Sequence, residues 1–545
     1  MLIDVNGGDA MSFVKNSSTQ ITFNDSTVSL TERERKFLDK SWAKPFADNI
    51  FSAIKEDNFD VLYSDKTSRP NTPVNIIISA LILKELLGLT DDEIVESLMF
   101  DIRFQYALHT TSFEEQPLSD RTLSRFRERC LTYEAITGTD LVKDCIINLS
   151  TEIAKVMGIN SGLKRMDSMM VASNIKKLSR LELLYTCVAN LVKLLHKNDE
   201  EVPEAMHHYY EPDDCNKVIY HMKSMGIEEK VAQVLYDASL LIKKCASDYD
   251  KSNEYQLLIR VIGEQTIKEA NGSLTLKDKN DKTMGSKILQ NPADPDATYR
   301  YKAGKEYRGY VANLTEDVDI DKKVSVISDY DYQANTYSDS QFLKDSVEKL
   351  AKQAETLTLL ADGAYGGEDN ISKAKEKNIN LVTTNFQATK PASILANFEF
   401  SADGTKVLKC AGGQVPLTNT YNVRTEQCRI TMNKEKCNSC PYKDQCKPKF
   451  HKTKTSKTLS WKSVSRAKQL EYMKTAEFIE LAKIRNGVES LPSTLRRKYN
   501  VDEMPTRGKL KTKLLFGFKV GALNFKKLFD YQSSLNDCVL NPNIA

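Results

Sequence analysis

Apolar residues keep a helical period through the first third of the chain. From Ile76 to Leu89 ("IIISALILKELLGL") they occupy most faces of the repeat, which predicts a helix buried on nearly all sides. "GLTDDEIVESLMF" restarts the period, with Thr90 as N-cap and Glu93 at the capping-box position three residues on. "PLSDRTLSRFRERC" opens a further helix behind Ser119. Residues 31–155 therefore read as an all-α N-terminal domain, preceded by a polar, loosely ordered segment 1–30.

The texture changes at Gly162. "LKRMDSMMVAS" reads as a strand, and residues 172–265 return to helical spacing as an insertion. "YRGYVANLTED" and "KKVSVISDYDYQ" are two β-rich runs with a turn between them, followed by a helix near 339–354. "LTLLADGAYGG" is a strand ending at Asp362, and a helix near 368–377 leads to the strand "INLVTTN". The fold class is α/β: a mixed sheet within 160–530, with a cysteine-rich insertion at 400–455. No period of about 20–50 residues recurs, so a repeat array is excluded.

Charge adds a second layer. The 545 residues hold 77 Lys and Arg against 74 Asp and Glu, a net of only +3. Yet Lys449 to Lys527 carries 20 basic and 6 acidic side chains, a net of +14 that leaves −11 for the rest. Such asymmetry is expected of a polyanion-binding surface or of a solvated basic face. Arg121 and Arg125, with Arg127 and Arg129, fit the arginine-bearing helix of a helix-turn-helix reader or the charged face of a packing domain. Lys498 to Lys513 has charge without aromatic interleaving or a clear helical face, which suits phosphate contacts. The opening residues lack the order of a signal peptide, and the Ile76 run is too short and too charged to span a bilayer. A cytoplasmic location without a membrane partner is expected.

Two aspartates stand where a carboxylate is costly: Asp167 inside an apolar strand and Asp362 at the end of another. Neighbouring strands presenting both would suit hard divalent cations; alternatively, Asp362 caps a turn and Asp167 pairs with Lys164 or Arg165. Asp294 and Asp296 in a Pro-bearing loop, Asp329 and Asp331 after a strand, and Glu368 rank lower. Eleven cysteines do not make a secreted disulfide scaffold in a chain this long. "CRITMNKEKCNSCPYKDQC" gathers Cys428, Cys437, Cys440 and Cys446 within 19 residues, a set suited to tetrahedral Zn²⁺, with reduced free thiols as the other reading. Cys410 and His451 are alternative fourth ligands. The adjacent His207 and His208 cannot converge on one ion and read as structural.

"RMDSMMVASN", "DPDATYRYKAGKEYRGYVANL", "LLADGAYGG" and "RNGVESLPSTLRR", in that order, resemble bacterial insertion-sequence transposases of the DDE superfamily, over about residues 30–530. The resemblance implies an RNase H-like core, a helical N-terminal domain and a late cysteine cluster. It puts the three metal-binding acids on Asp167, Asp362 and Glu489, the last on a helix beginning near Trp461 and interrupted at Gly487. Around that helix Arg485 fits the family pattern, while Ala482 stands where a tyrosine is expected and Arg496 where a lysine is. The short spacing alone offers a competing account: Arg485 and Glu489, i,i+4, as a surface ion pair contributing about 0.2–0.5 kcal/mol. The resemblance further implies Mg²⁺ (or Mn²⁺), a structural Zn²⁺, double-stranded DNA as partner and a homodimer on it, in a cytoplasmic, nucleoid-associated protein. Its activity would be cleavage at the element's ends and joining of the 3′-OH ends to target DNA. DNA contacts fall to Arg121, Arg125, Arg485, Arg496, Lys498, Arg507, Lys509, Lys511 and Lys513. A catalytically inactive DNA-binding descendant and a nuclease without strand transfer are the alternatives.

Overall fold

The structure is a computed structural model that describes residues 11–16, 27–64, 69–110, 118–160, 162–219, 226–270, 272–353, 356–384 and 390–540. Residues 1–10 and 17–26 of the expected loose N-terminus lie outside the described residues.

A mixed sheet organises the molecule. Its strands are β1 (Leu163–Ala172), β2 (Thr298–Lys302), β3 (Lys305–Asp319), β4 (Val324–Ala334), β5 (Leu357–Ala361) and β6 (Ile379–Thr383). The order runs β6-β5-β1-β3, with β2 and β4 both on the far edge of β3. β1 is antiparallel to β3 from Lys164–Asp317 to Ala172–Gly309, and parallel to β5. Strand periodicity divides β1 between two cores. Met166 and Met170 pack with Phe342, Leu343 and Val347 on one face, while Met169 and Val171 join a larger core on the other.

That larger core unites both ends of the chain. The N-terminal helices include α1 (Val74–Leu87), α2 (Asp91–Phe100), α3 (Asp120–Thr137) and α4 (Leu141–Met157). The expected caps are present: Thr90 and Glu93 close a capping box, and Ser119 caps α3. The insertion, with α5 (Arg180–Lys197), α6 (Ile227–Cys245) and α7 (Asn253–Gln265), has a separate apolar core. Helices α8 (Asp339–Leu350) and α9 (Glu368–Glu376) follow, and then α10 (Trp461–Tyr472), α11 (Ala476–Asn486), α12 (Ser490–Tyr499) and α13 (Lys509–Leu540). α1 is buried on all sides from Val74 to Leu83 because α13 lies against it, against α4 and against β4.

Of the basic stretch Lys498 to Lys513, expected to lack a helical face, Lys498 lies in the last turn of α12, Arg507 lies between helices, and Lys509 to Lys513 begin the long α13. Its lysines divide by direction: Lys511 is exposed, whereas Lys513 reaches Glu134 at 2.6 Å and Asp140 at 2.8 Å. Lys519 pairs with Glu85, and Lys527 with the fully buried Glu316. Part of the C-terminal charge excess is therefore neutralised by acids from earlier in the chain. Among the described residues no helix is long and apolar enough to cross a membrane.

Between β6 and α10 stands a small cysteine-bearing lobe. Its antiparallel sheet has the order β7-β8-β10-β9, from β7 (Thr418–Asn422), β8 (Gln427–Asn433), β9 (Lys449–Phe450) and β10 (Lys454–Leu459).

Candidate active site

Strand register brings the first two acids together. β1 and β5 pair from Leu163 with Thr358 to Arg165 with Leu360; Asp167 and Asp362 each follow that last pair by two residues, and the Asp362 charge acts on Asp167. Asp362 itself follows β5 and heads a 3₁₀ turn, Gly363–Tyr365. The turn is pinned from below: buried Tyr365 donates its hydroxyl to Asn313 Oδ1 at 2.6 Å, and Asn313 is the β3 partner of Ser168. Asn370 on α9 donates to the Tyr365 carbonyl at 2.7 Å.

Asp167 accepts from the Ser168 amide at 2.9 Å. Burial pushes its carboxyl up to about 6; Arg485 pulls it back, and the charges of Asp362 and Asp339 add to the rise. Asp339, on the first turn of α8, accepts from Ser168 Oγ at 2.6 Å and is buried. Sequence reasoning missed it, since an acid in a helix's first turn is ordinary.

The third acid lies on a more broken path than a helix interrupted at Gly487. α10 stops at Tyr472, Thr475 caps α11, and Gly487–Glu489 form a 3₁₀ turn before α12. Arg485 Nη1 donates to Glu489 Oε1 at 2.8 Å, and Nη2 lies 3.5 Å from Asp167 Oδ1. The Arg485 side chain is 7% exposed while Glu489 is 64% exposed, so the guanidinium reaches from the half-buried Asp167 out to a carboxylate at the surface.

Arg165 ties that turn to the sheet. Its Nε donates to Glu316 Oε2 at 2.5 Å and its Nη1 to the Ile484 carbonyl in the last turn of α11 at 2.9 Å. Burial raises Glu316, but Lys527 and Arg165 outweigh it and the carboxyl stays below its ordinary range.

The lower-ranked acids are held elsewhere. Asp294 accepts from Tyr310 at 2.6 Å and from Ser173, Asp296 from the Lys509 amide at 3.1 Å, and Asp329 and Asp331 from lysines including Lys143. His207 faces the Val202 carbonyl at 2.9 Å and His208 faces Asp214 at 2.8 Å.

Of the expected DNA contacts, Arg121, Arg125, Lys498, Arg507 and Lys511 are exposed. Arg507 also donates to the Asn174 carbonyl at 2.6 Å. Arg496 donates to Asp502 at 2.9 Å and to the Met170 carbonyl of β1 at 2.7 Å, and Lys509 to Gln333 at 2.6 Å. Arg485 and Lys513 are taken up by carboxylates inside the molecule.

In the lobe, Cys437, Cys440 and Cys446 line one cavity of about 30 Å³ together with Cys410. Cys428 does not line it; its thiol donates to the Thr405 carbonyl at 3.0 Å. His451 faces Ser456 Oγ at 2.8 Å. Among the described residues no group of three or more His, Cys, Asp or Glu side chains is placed to hold a metal ion.

Asp167 thus lies within the electrostatic influence of Asp362 and shares Arg485 with Glu489. Two stretches of the chain also match known families. A transposase domain (DUF772) matches residues 35–129, and a transposase DDE domain matches residues 410–529, a stretch containing the lobe and Glu489. Together these matches support an insertion-sequence transposase of the DDE kind. Asp167 and Asp362 fall between the two matched stretches. No curated protein and no solved structure matches the chain.

Proposed function

We propose that the protein cleaves DNA at the ends of its own insertion sequence and joins the freed 3′-OH ends to target DNA. The observation that carries this reading is the placing of Asp167 within the field of Asp362, with Arg485 linking Asp167 to Glu489. A central β1, antiparallel to β3 and parallel to β5, supports an RNase H-like core.

The three carboxylates supply the hard oxygen donors that Mg²⁺ or Mn²⁺ takes. Bound there, the ions would stabilise the attacking and leaving oxygens of an in-line displacement at phosphorus, the chemistry common to cleavage and joining. The chain's own share is positional. Ser168 and its amide orient Asp167, Tyr365 and Asn313 fix the turn after Asp362, and Arg165 fixes the turn that carries Glu489. Arg485 holds Asp167 and Glu489 in mutual reach until a cation engages them.

Exposed Arg121 and Arg125 would enter a major groove and read the element's end, while Lys498, Arg507 and Lys511 would hold phosphates. Arg496 and Lys509 would act from beside the sheet. Two copies would act together as a homodimer, one per element end. The lobe would hold a structural Zn²⁺. The protein would work in the cytoplasm on nucleoid DNA.

The test is an assay of end-labelled element DNA with Mg²⁺ and a second duplex. Joined product supports transposition, free 3′-OH ends alone indicate a nuclease, and binding without cleavage indicates an inactive descendant.

A further inference from the structure

The fourth sulfur of the zinc set is where sequence and structure part. Local spacing favours Cys428, which begins the run of cysteines on β8. On that strand Cys428, Ile430 and Met432 share one face, and only Ile430 and Met432 reach the cavity wall. Cys428 is fully buried at the other end of the small core, with Thr405 as its partner.

Cys410 arrives from a separate turn. Its amide donates to the Gln414 carbonyl at 2.9 Å and its carbonyl accepts from Gly413 at 2.8 Å, which folds residues 410–414 back tightly. The Cys437-Asn-Ser-Cys440 segment makes a second turn, with the Cys440 amide 3.4 Å from the Cys437 carbonyl. The two turns meet across the cavity. A Cβ at Gly412 would stand 3.0 Å from Cys440 Sγ and 3.9 Å from Cys410 Sγ, so a glycine lets the first turn close over the sulfurs of both. Cys446, at the end of a short helix, lies within electrostatic reach of Cys410, Cys437 and Cys440.

We infer that Cys410, Cys437, Cys440 and Cys446 are the ligands of one structural Zn²⁺, and that Cys428 is a core residue. This rests on the zinc reading of the lobe and replaces its ligand set. The cavity of about 30 Å³ holds a single ion without a companion. Four thiolates around one divalent ion leave negative charge over, and Lys443 and Lys457 line the same cavity to offset it. Thr455 Oγ1 donates to Cys437 Sγ at 3.0 Å, the kind of outer contact that orients a thiolate ligand. Closing the shell to Zn–S distances of about 2.3 Å requires the four side chains to turn inward. The site would clamp the 410–414 turn to the strands that precede α10, the helix leading to Glu489.

The experiment is zinc analysis of the full-length chain, purified without chelator, as wild type and as five single Cys→Ser variants. The expected result is about one zinc per wild-type chain, most of it lost in Cys410→Ser, Cys437→Ser, Cys440→Ser and Cys446→Ser, and all of it kept in Cys428→Ser. Zinc kept by Cys410→Ser and lost by Cys428→Ser overturns the ligand set while leaving the zinc reading intact. A zinc-free wild type overturns both. Should Cys410→Ser fail to fold, Cys410→His keeps a ligand: on Co²⁺ loading its absorption spectrum should shift from that of Cys428→Ser and wild type. An unchanged spectrum overturns the assignment.

Discussion

Arg165 lies so close against Gly487 that a Cβ at that position would stand 2.2 Å from Nη1. One strand residue and one turn residue, more than 300 positions apart in the chain, thereby fix the distance between the strand bearing Asp167 and the turn bearing Glu489. Gly487→Ala should displace either the guanidinium or the turn. We expect a loss of about 1–3 kcal/mol in stability and at least a tenfold loss of cleavage, with binding to element ends within a few-fold of wild type. Thermal unfolding, cleavage rates and gel-shift titrations of one preparation check all three.

Asp167 should cost stability where it is ionised. Its folded pKa of about 6 lies above the ordinary 3.8, so the folded chain binds more protons than the unfolded one between those values. Stability from this group therefore falls as pH rises through that window, by on the order of 2–3 kcal/mol by neutral pH. Asp167→Asn should melt higher than wild type at pH 7.5 in chelator, and the gap should close toward pH 4. The same variant should not cleave DNA. Melting curves across pH decide the first point and a nicking assay the second.

Alanine at Asp362 or Glu489 should abolish Mg²⁺-dependent cleavage and leave binding to element ends nearly intact. Wild-type cleavage by either variant would remove that residue from the site.

Lys511 and Lys513 are two residues apart and should fail in different ways. Lys513→Ala strands Glu134 and Asp140, both within 10% exposure, and should cost about 3–5 kcal/mol of stability. Lys511→Ala should leave the melting temperature unchanged, weaken binding to all DNA sequences alike and flatten the salt dependence. Binding at two salt concentrations beside a melting curve separates them.

Arg121→Ala with Arg125→Ala should lower preference for the element's end over random DNA, by about 1–3 kcal/mol for each base pair read. Equal losses on both DNAs would make α3 a packing helix with a charged face.

Much of this molecule was legible from its sequence because much of it is local. Apolar period and caps predict α1, α2 and α3, and alternation predicts β1, since both report a few neighbouring residues. What escaped depends on distant partners. Nothing near Lys513 announces Glu134, and the exposed-looking spacing of Arg485 and Glu489 conceals Asp167 beneath them. Asp339 is an unremarkable first-turn acid until the sheet brings Ser168 beside it. Residue spacing singles out Cys428, whereas the cavity is lined by Cys410, which a turn brings in from outside that run.

The packing of α13 against α1 also orders events in time. The residues from Ile76 to Leu83 are synthesised well before their apolar cover, from Leu514 to Leu528. Until then the N-terminal helices expose a sticky surface that suits a chaperone, and a chain cut before Lys509 never covers it. A truncation before Lys509 therefore removes the packing partner that buries the first long helix of the chain.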